Sequence, residues 1–229
     1  MQKFKLMLKF FARYKTFAIV FFILSVIIIY IIYTLKVPNE KLPVYQPDMV
    51  NAELVDSTVQ YVRKYHKIAD FDLVNQNGDT ITEEDYKDKI YIADFFFTTC
   101  LTICPIMTDH MIKIQEKIKN DDEVLLLSHT VFPVADSVPV LKEYALEKGV
   151  IDEKWNLVTG DKKEIYELAR KSYLATKSTG DGGPYDMIHT ENFILVDKNR
   201  QIRGFYDGTD PKAIESLMHD LKVLKGEQH

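Results

Sequence analysis

Cysteine is scarce in this chain, with two residues in 229. A disulfide-rich scaffold needs several bridges to replace a hydrophobic core, so that class is excluded. Glycine and proline are also few, nine and eight residues, which excludes collagen-like and low-complexity classes for most of the length. The hydrophobic share of 46% is that of a chain that can bury a globular core.

Acidic residues are absent from the first 36 positions, which hold six of the 29 Lys and Arg residues. Residues 37–229 therefore carry 23 basic against 34 acidic side chains, a net charge of −11. Such an acidic body lacks the phosphate-neutralising face that nucleic acids require. We expect no nucleic-acid partner.

A long uncharged run follows the basic tail of residues 1–15. Residues 16–35 contain no charged side chain, and as a helix they would span about 30 Å, the thickness of a bilayer's hydrocarbon core. The run predicts a single transmembrane helix, with the positive tail left in the cytoplasm. A cleaved signal peptide is the alternative, but the run is too long and no small-residue cleavage site follows it. We expect a single-pass protein of the bacterial inner (cell) membrane, with its C-terminal domain on the periplasmic, extracytoplasmic side.

The remaining chain divides into a linker and one domain. Residues 36–63 contain three prolines and no clear period, which predicts a stalk, and residues 64–229 are predicted to be globular. Asn77-Gly78 indicates a β-hairpin. The predicted element order is β-hairpin, β, α, β, α, β, α, β, β, α. This alternation predicts an α/β fold with a mainly parallel sheet, to which the late hairpin adds antiparallel strands.

The two cysteines lie where a strand gives way to a helix. Cys100 and Cys104 follow the apolar run of residues 90–97 and precede a helix predicted from Pro105 to Lys119. Sites in parallel sheets lie beyond the carboxyl ends of strands, and a helix N-terminus lowers a thiol's pKa. In a regular helix such a pair has Cβ atoms about 5–6 Å apart, against about 3.8 Å in a disulfide. The spacing suits a bound metal slightly better than a structural bridge, while a strained, reducible disulfide stays accessible.

Two simpler interpretations compete with a site. The cysteines could be small buried hydrophobic residues, or they could form a plain structural disulfide that closes a very small loop. A metal would need a third ligand. Among six histidines, His189 follows a glycine-rich segment and precedes a predicted strand, and His129 ends another strand near the site. His110 is predicted on a helix surface. The residues alone leave the third ligand open.

The chain resembles the SCO/SenC family of membrane-anchored copper proteins with a thioredoxin-like fold. The resemblance rests on the N-terminal apolar run, the segment Phe-Phe-Phe-Thr-Thr-Cys-x-x-x-Cys-Pro that ends at Pro105, and His189 before a late strand. It implies a thioredoxin-like domain with an N-terminal β-hairpin extension, preceded by a single transmembrane helix. It also implies a copper site, for Cu(I) or Cu(II), made by Cys100, Cys104 and His189.

The same resemblance implies a function and a partner. Family members deliver copper to the dinuclear copper centre of cytochrome c oxidase, or first reduce that centre's cysteines, so the implied partner is a copper-accepting subunit of a terminal oxidase. Family members often read C-P-D-x-C-P and carry Asp directly before the histidine, whereas this chain has Leu101, Thr102 and Ile103 between the cysteines and Ile188 before His189.

Two further functions remain open. An extracytoplasmic thiol–disulfide oxidoreductase would use Cys100 and Cys104 as a redox-active catalytic pair. A peroxidase-like thiol enzyme is compatible with the fold. Two cysteines and a histidine could also hold zinc, so ligand type alone does not distinguish the metals, and the choice of copper rests on the resemblance.

Overall fold

The computed structural model describes residues 14–36, 41–51, 55–56, 58–176, 183 and 186–227, with side chains in the first range described as far as residue 31. The chain divides into two compact units, Met1–Glu40 and Lys41–His229. In the first unit, helix α1 spans Lys15–Lys36. A search of the described residues finds no helix with the length and apolar character needed to cross a membrane. The transmembrane helix predicted at residues 16–35 is therefore not confirmed and stays a prediction.

The second unit is built on one sheet of seven strands. The strands are β1 Asp72–Asn75, β2 Thr80–Thr82, β3 Ile90–Phe96, β4 Val124–Thr130, β5 Trp155–Thr159, β6 Asn192–Val196 and β7 Ile202–Asp207. They lie in the order β2-β1-β5-β4-β3-β6-β7. The predicted order of elements is confirmed, including the hairpin at Gly78, where the backbone has φ +85° and the Gly78 N–H donates to the Asn75 carbonyl.

The prediction of a mainly parallel sheet is wrong. Of the six neighbouring strand pairs in the described sheet, the pairs β3–β4 and β4–β5 are parallel and the other four are antiparallel. The N-terminal hairpin joins β5 in antiparallel orientation, and the late hairpin joins β3 in the same way. Helical crossovers between β3 and β5 account for the parallel pairs, because a crossover returns the chain in the same direction.

Four helices of the second unit connect or follow the strands. They are α2 Cys104–Ile118, α3 Val138–Lys148, α4 Lys162–Glu167 and α5 Pro211–Glu227. A π-helical turn, Leu168–Ser172, continues α4, and 3₁₀ turns lie at Pro47–Met49 and Glu83–Tyr86. Helix α2 begins one residue before its predicted start, with Pro105 in the first turn, where the missing N–H costs no hydrogen bond.

The sheet separates two hydrophobic cores. Alternate residues of β3 face opposite sides: Ile90, Ile92 and Phe96 pack with helices α2, α3 and α5, whereas Tyr91, Ala93 and Phe95 pack with α4. We call these sides the α2 face and the α4 face. All seven residues of β3 are buried, as expected for a central strand that is covered on both sides.

The described part of the predicted linker packs on the domain. Residues 41–46, here called the strap, lie beside β7: the Tyr45 N–H donates to the Ile202 carbonyl at 2.9 Å, and Arg203 Nε donates to the Pro43 carbonyl at 3.0 Å. Farther along, Val55 is 1% exposed within the α4-face core. The globular unit therefore begins before residue 64, because these contacts bury apolar and polar groups of the preceding chain.

A buried guanidinium holds the strap, β7 and the last helix together. Arg203 donates to Asp197 at 3.1 Å and to Glu227 at 2.5 Å, and all three side chains are at most 13% exposed. Arg203 Nη2 also donates to the Leu42 carbonyl at 2.8 Å. Removing one partner of such a buried pair leaves the other charge without compensation, which typically costs about 3–5 kcal/mol.

We predict that Arg203→Met lowers the free energy of unfolding by about 3–5 kcal/mol, since it leaves Asp197 and Glu227 without their cation. Urea denaturation of the reduced protein would measure the change. Lys119→Met is the matched control, because Lys119 pairs with Glu116 on the surface, and its expected loss is below about 1 kcal/mol. A loss below 1 kcal/mol for Arg203→Met would contradict the prediction.

Candidate metal and thiol site

The cysteines lie at the carboxyl end of the central strand. Cys100 is in the turn that follows β3, where its N–H donates to the Phe97 carbonyl at 3.2 Å, and Cys104 is the first residue of α2. Cys104 thus belongs to the helix and Cys100 precedes it, so the two cysteines do not share one face of a regular helix.

Both thiols are free and buried: Cys100 is 9% exposed and Cys104 is 4% exposed. The Cys100 sulfur lies 3.6 Å from Thr102 Oγ1, within hydrogen-bond distance. A donor that close to the sulfur stabilises its thiolate form.

This arrangement separates the acidities of the two thiols. Burial raises the pKa of Cys100. Hydrogen bonding from the Cys104 side chain and from the Thr102 and Cys104 backbone lowers this pKa by more than burial raises it, so the net pKa is about 7. Burial raises the pKa of Cys104 to about 12, with the hydrogen bond to Cys100 adding to the rise. Cys100 is the nucleophilic, metal-seeking sulfur near neutral pH, and Cys104 keeps its proton.

A buried carboxyl group lies beneath the pair. Asp94 is 3% exposed on β3 and accepts a hydrogen bond from Ser128 Oγ, which in turn accepts from Trp155 Nε1 at 2.8 Å. Burial raises the pKa of Asp94 to about 7, and the charge of Asp94 contributes to the raised pKa of Cys104. The sequence analysis missed this residue, although a lone acid within an otherwise apolar strand was a visible signal.

A second buried carboxylate holds the cysteine loop to the next loop of the sheet. Asp136 is 0% exposed and accepts hydrogen bonds from the Thr98 N–H at 3.2 Å, from the Thr98 hydroxyl at 2.5 Å and from the Thr130 hydroxyl. Thr98 lies two residues before Cys100. Asp136 therefore restrains the turn that carries the first cysteine.

The structure does not group His189 with the cysteines. No cluster of three or more metal-ligating side chains occurs among the described residues. His189 is exposed just before β6, and its ring lies edge-on to Phe97 with 6.5 Å between the centroids. Phe97 packs against both cores and directly follows β3. Phe97 thus links the His189 ring to the chain that carries Cys100, three residues farther along.

His129 and His110 are buried, and each contacts neighbouring groups of the fold. His129 is 0% exposed on the α4 face, where its ring lies 4.9 Å from Phe95 and 5.1 Å from Tyr173, away from the α2-face core that holds the cysteines. Burial lowers the pKa of His129 to about 4. His110 is buried, with Nδ1 2.7 Å from the Gly208 carbonyl, so its predicted place on a helix surface is wrong.

The donor set fits a soft cation. Two free cysteines four residues apart, one with a pKa lowered to about 7, offer the soft thiolate ligands that Cu(I) and Zn(II) prefer. His189 is the candidate third donor. The same free thiols could instead form a disulfide with each other.

Comparison with known proteins identifies relatives of this chain. The SCO1/SenC family model matches residues 59–225. A curated relative, the SCO1 protein homolog of Bacillus subtilis, is 32% identical over 159 residues, which cover 69% of this chain and 82% of that protein.

Two solved structures share the fold. The first is that of BsSco, described as a member of the Sco family of cytochrome c oxidase assembly proteins with a disulfide switch, with TM-score 0.59 and 31% identity over 69% of this chain and 93% of the other. The second is that of Arabidopsis thaliana ScoI with copper bound, with TM-score 0.53 and 25% identity over 70% of this chain and 98% of the other. The described α/β domain of this chain therefore has the thioredoxin-like fold of Sco proteins.

We predict that iodoacetamide modifies Cys100 of the reduced, metal-free protein with a half-maximal rate near pH 7. A lowered pKa means that the reactive thiolate persists above about pH 7 and is lost below it. Thr102→Val should move this midpoint upward, because it removes one donor to the sulfur. Mass spectrometry of the alkylated peptides gives the rates.

The matched control is Cys100→Ser, which leaves Cys104 as the reactive group. Burial is the largest cause of the raised pKa of Cys104 and persists in this variant, so we expect slow alkylation near pH 7. Equal reactivity of the two cysteines at pH 7 would show that their acidities are not separated.

Proposed function

Because this chain belongs to the SCO1/SenC family, we propose that it is a membrane-anchored protein that binds copper and delivers it to the dinuclear copper centre of cytochrome c oxidase, or prepares the cysteines of that centre. The observation that carries the proposal is the pair of free, buried thiols at the carboxyl end of β3, where hydrogen bonding from Cys104 and from the backbone lowers the pKa of Cys100 to about 7. The matching relatives include a protein described as an oxidase assembly factor and one solved with copper bound.

In this proposal Cys100, Cys104 and His189 bind the cargo. Cu(I) is a soft cation, so the two sulfur atoms are the primary donors, and binding would displace the proton that Cys104 keeps in the free protein. His189 would complete a three-coordinate site. Its exposure suits a ligand that can also leave, because a cysteine or histidine of an acceptor could take the vacant position and remove the copper stepwise.

The acceptor is proposed to be the copper-binding subunit of a terminal oxidase. Leu101 lies between the two cysteines and is 92% exposed, so an approaching protein meets an apolar, uncharged surface beside the thiols. Anchoring a donor in the same membrane as its acceptor raises their effective concentration. The apolar run of residues 16–35 is the proposed anchor, in a bacterial inner membrane with the domain on the extracytoplasmic side.

A thiol–disulfide oxidoreductase is the second candidate, and the separated acidities of the cysteines favour it. The Cys100 thiolate would attack a partner's disulfide and form a mixed disulfide, releasing one partner thiolate. Cys104 would then lose its proton and attack Cys100, which releases the second partner thiolate and leaves a Cys100–Cys104 disulfide. Asp94 lies near enough to influence the Cys104 proton. The partner gains two electrons, and the cysteine pair loses two.

We predict that the reduced full-length protein binds one Cu(I) per chain and that Cys100→Ser or Cys104→Ser abolishes this binding, since each removes one of two thiolates. His189→Ala should weaken binding about 10–100-fold. Competition with a chromophoric Cu(I) chelator measures the affinities. His219→Ala, which alters an exposed histidine of α5, is the control and should bind as wild type.

If either serine variant still binds stoichiometric Cu(I) with wild-type affinity, the proposed site is contradicted. The two candidate functions separate in the His189→Ala variant. Full reduction of a disulfide substrate by His189→Ala, together with weakened copper binding, would show that the thiol chemistry is independent of the metal.

The topology of the chain gives a further prediction. Protease added to intact spheroplasts should degrade the chain after Lys36 and spare the N-terminal tail, because the basic residues of the tail keep it in the cytoplasm. Immunoblotting with an epitope at each end would measure this. Complete protection of the domain would reverse the proposed orientation.

A further inference from the structure

Three side chains of α4 and its π-helical continuation are spaced four residues apart and reach one segment of chain. Lys162, Tyr166 and Arg170 contact Gly183 or Asp186, in the segment of chain that leads to His189. We call these three side chains the α4 row.

The α4 row binds two backbone carbonyl oxygens of the segment and the carboxylate of Asp186. Lys162 Nζ donates to the carbonyl oxygens of Gly183 and Asp186, both at 2.7 Å. The Tyr166 hydroxyl lies 3.0 Å from the same Asp186 carbonyl, and Arg170 Nη2 lies 2.7 Å from Asp186 Oδ1. Both cations also lie against the Tyr166 ring, at 4.9 Å for Lys162 and 5.2 Å for Arg170.

The ion pair between Arg170 and Asp186 is buried, with side chains 7% and 8% exposed. Breaking one partner of such a pair is far more damaging than breaking a surface pair, because the remaining charge stays out of water. Ile188, two residues farther along, is 2% exposed in the α4-face core. The segment is therefore anchored by a buried pair and a buried aliphatic side chain immediately before the exposed His189.

The backbone around Arg170 is unusual. Arg170 lies in the π-helical turn Leu168–Ser172, and the turn ends near Leu174, a buried residue with φ +51°. π-Helical turns are rare, and a left-handed branched residue stores strain. Turns of this kind are frequent at functional sites, and this one carries Arg170.

The same row is linked to the cysteine loop. The Tyr166 hydroxyl lies 2.9 Å from the Val131 carbonyl, and the Val131 N–H donates to the Phe96 carbonyl at 2.8 Å. Phe96 is the last residue of β3, four residues before Cys100. Tyr166 thus contacts both the segment that carries His189 and the loop that is bonded to the end of the cysteine-bearing strand.

We propose that Arg170, supported by Tyr166 and Lys162, is a positioning residue that sets the place of His189 relative to the two cysteines. The metal-binding consequence rests on the proposed function, whereas the positioning of the segment does not. Arg170 does not touch the metal in this proposal. It acts through Asp186 and the backbone of residues 186–189.

The experiment compares Arg170→Gln with Lys171→Gln in the reduced full-length protein in detergent. Lys171 is the neighbouring residue, pairs with Glu167 on the surface and loses the same charge, so it is the matched control. Hydrogen-exchange mass spectrometry of metal-free protein follows the amides of residues 186–190. We expect Arg170→Gln to speed their exchange about tenfold and Lys171→Gln to leave it unchanged. Tyr166→Phe, which removes one hydroxyl, should have a smaller effect in the same direction and guards against a variant that fails to fold.

Copper binding is then measured in a double-mutant cycle with His189→Ala. Arg170→Gln should lower the Cu(I) affinity about 10–100-fold when His189 is present, and less than about twofold when it is absent, because its effect passes through the histidine. A purely structural role would give equal losses in both backgrounds.

The outcomes separate this inference from the function on which it partly rests. Unchanged exchange in both Arg170→Gln and Tyr166→Phe, or equal affinity losses with and without His189, would overturn the positioning role. If the wild-type protein binds no Cu(I), the proposed function fails, and the exchange rates alone then decide whether the α4 row holds the segment.

Discussion

The parallel pairing of β3 with β4 is the constraint on which the rest of the site depends. The two strands pair over seven residues, from Ile90 opposite Val124 to Phe96 opposite Thr130, so they end together at one edge of the sheet. The loops that follow must lie side by side, and Asp136 in one loop accepts hydrogen bonds from Thr98 in the other. The position of Cys100 is a consequence of this register, because it lies two residues beyond Thr98. A slip of one residue would move every β3 side chain to the other face and remove the turn from its partner.

Because β3 is buried on both sides, the candidate site lies at the end of this strand. The cysteines pack in the α2-face core and Ile188 packs in the α4-face core, so a centre made from both faces can form only where the strand stops. Phe97 occupies that point and contacts both cores and the His189 ring. At this end of the strand the two cysteines are buried, whereas His189 is exposed.

Three buried carboxylates join different elements of the domain. Asp94, Asp136 and Asp186 are largely buried carboxylates, and each is bonded to a partner that belongs to a different element: Ser128 on β4, Thr98 after β3, and Arg170 after α4. Buried polar groups need complete hydrogen bonding, so these pairs restrict how the loops can move relative to one another. The lowered pKa of Cys100 depends on the same restraint. Hydrogen bonding from Cys104 and from the backbone of the turn lowers this pKa, and Asp136 holds the turn through Thr98.

The sequence by itself determined the order of the elements, the Asn77-Gly78 hairpin, the start of α2 next to Pro105 and the candidate residues Cys100 and Cys104. Each of these depends on local chemistry: side-chain periodicity, turn residues or a proline in a first helical turn. Only the tertiary structure decided that four strand pairs are antiparallel, that His110 is buried, that His129 faces the opposite core and that Arg170 reaches Asp186. The reason is physical. Strand direction, sheet face and ion-pair partner are set by contacts between residues far apart in the chain, which a pattern read within a short window does not contain.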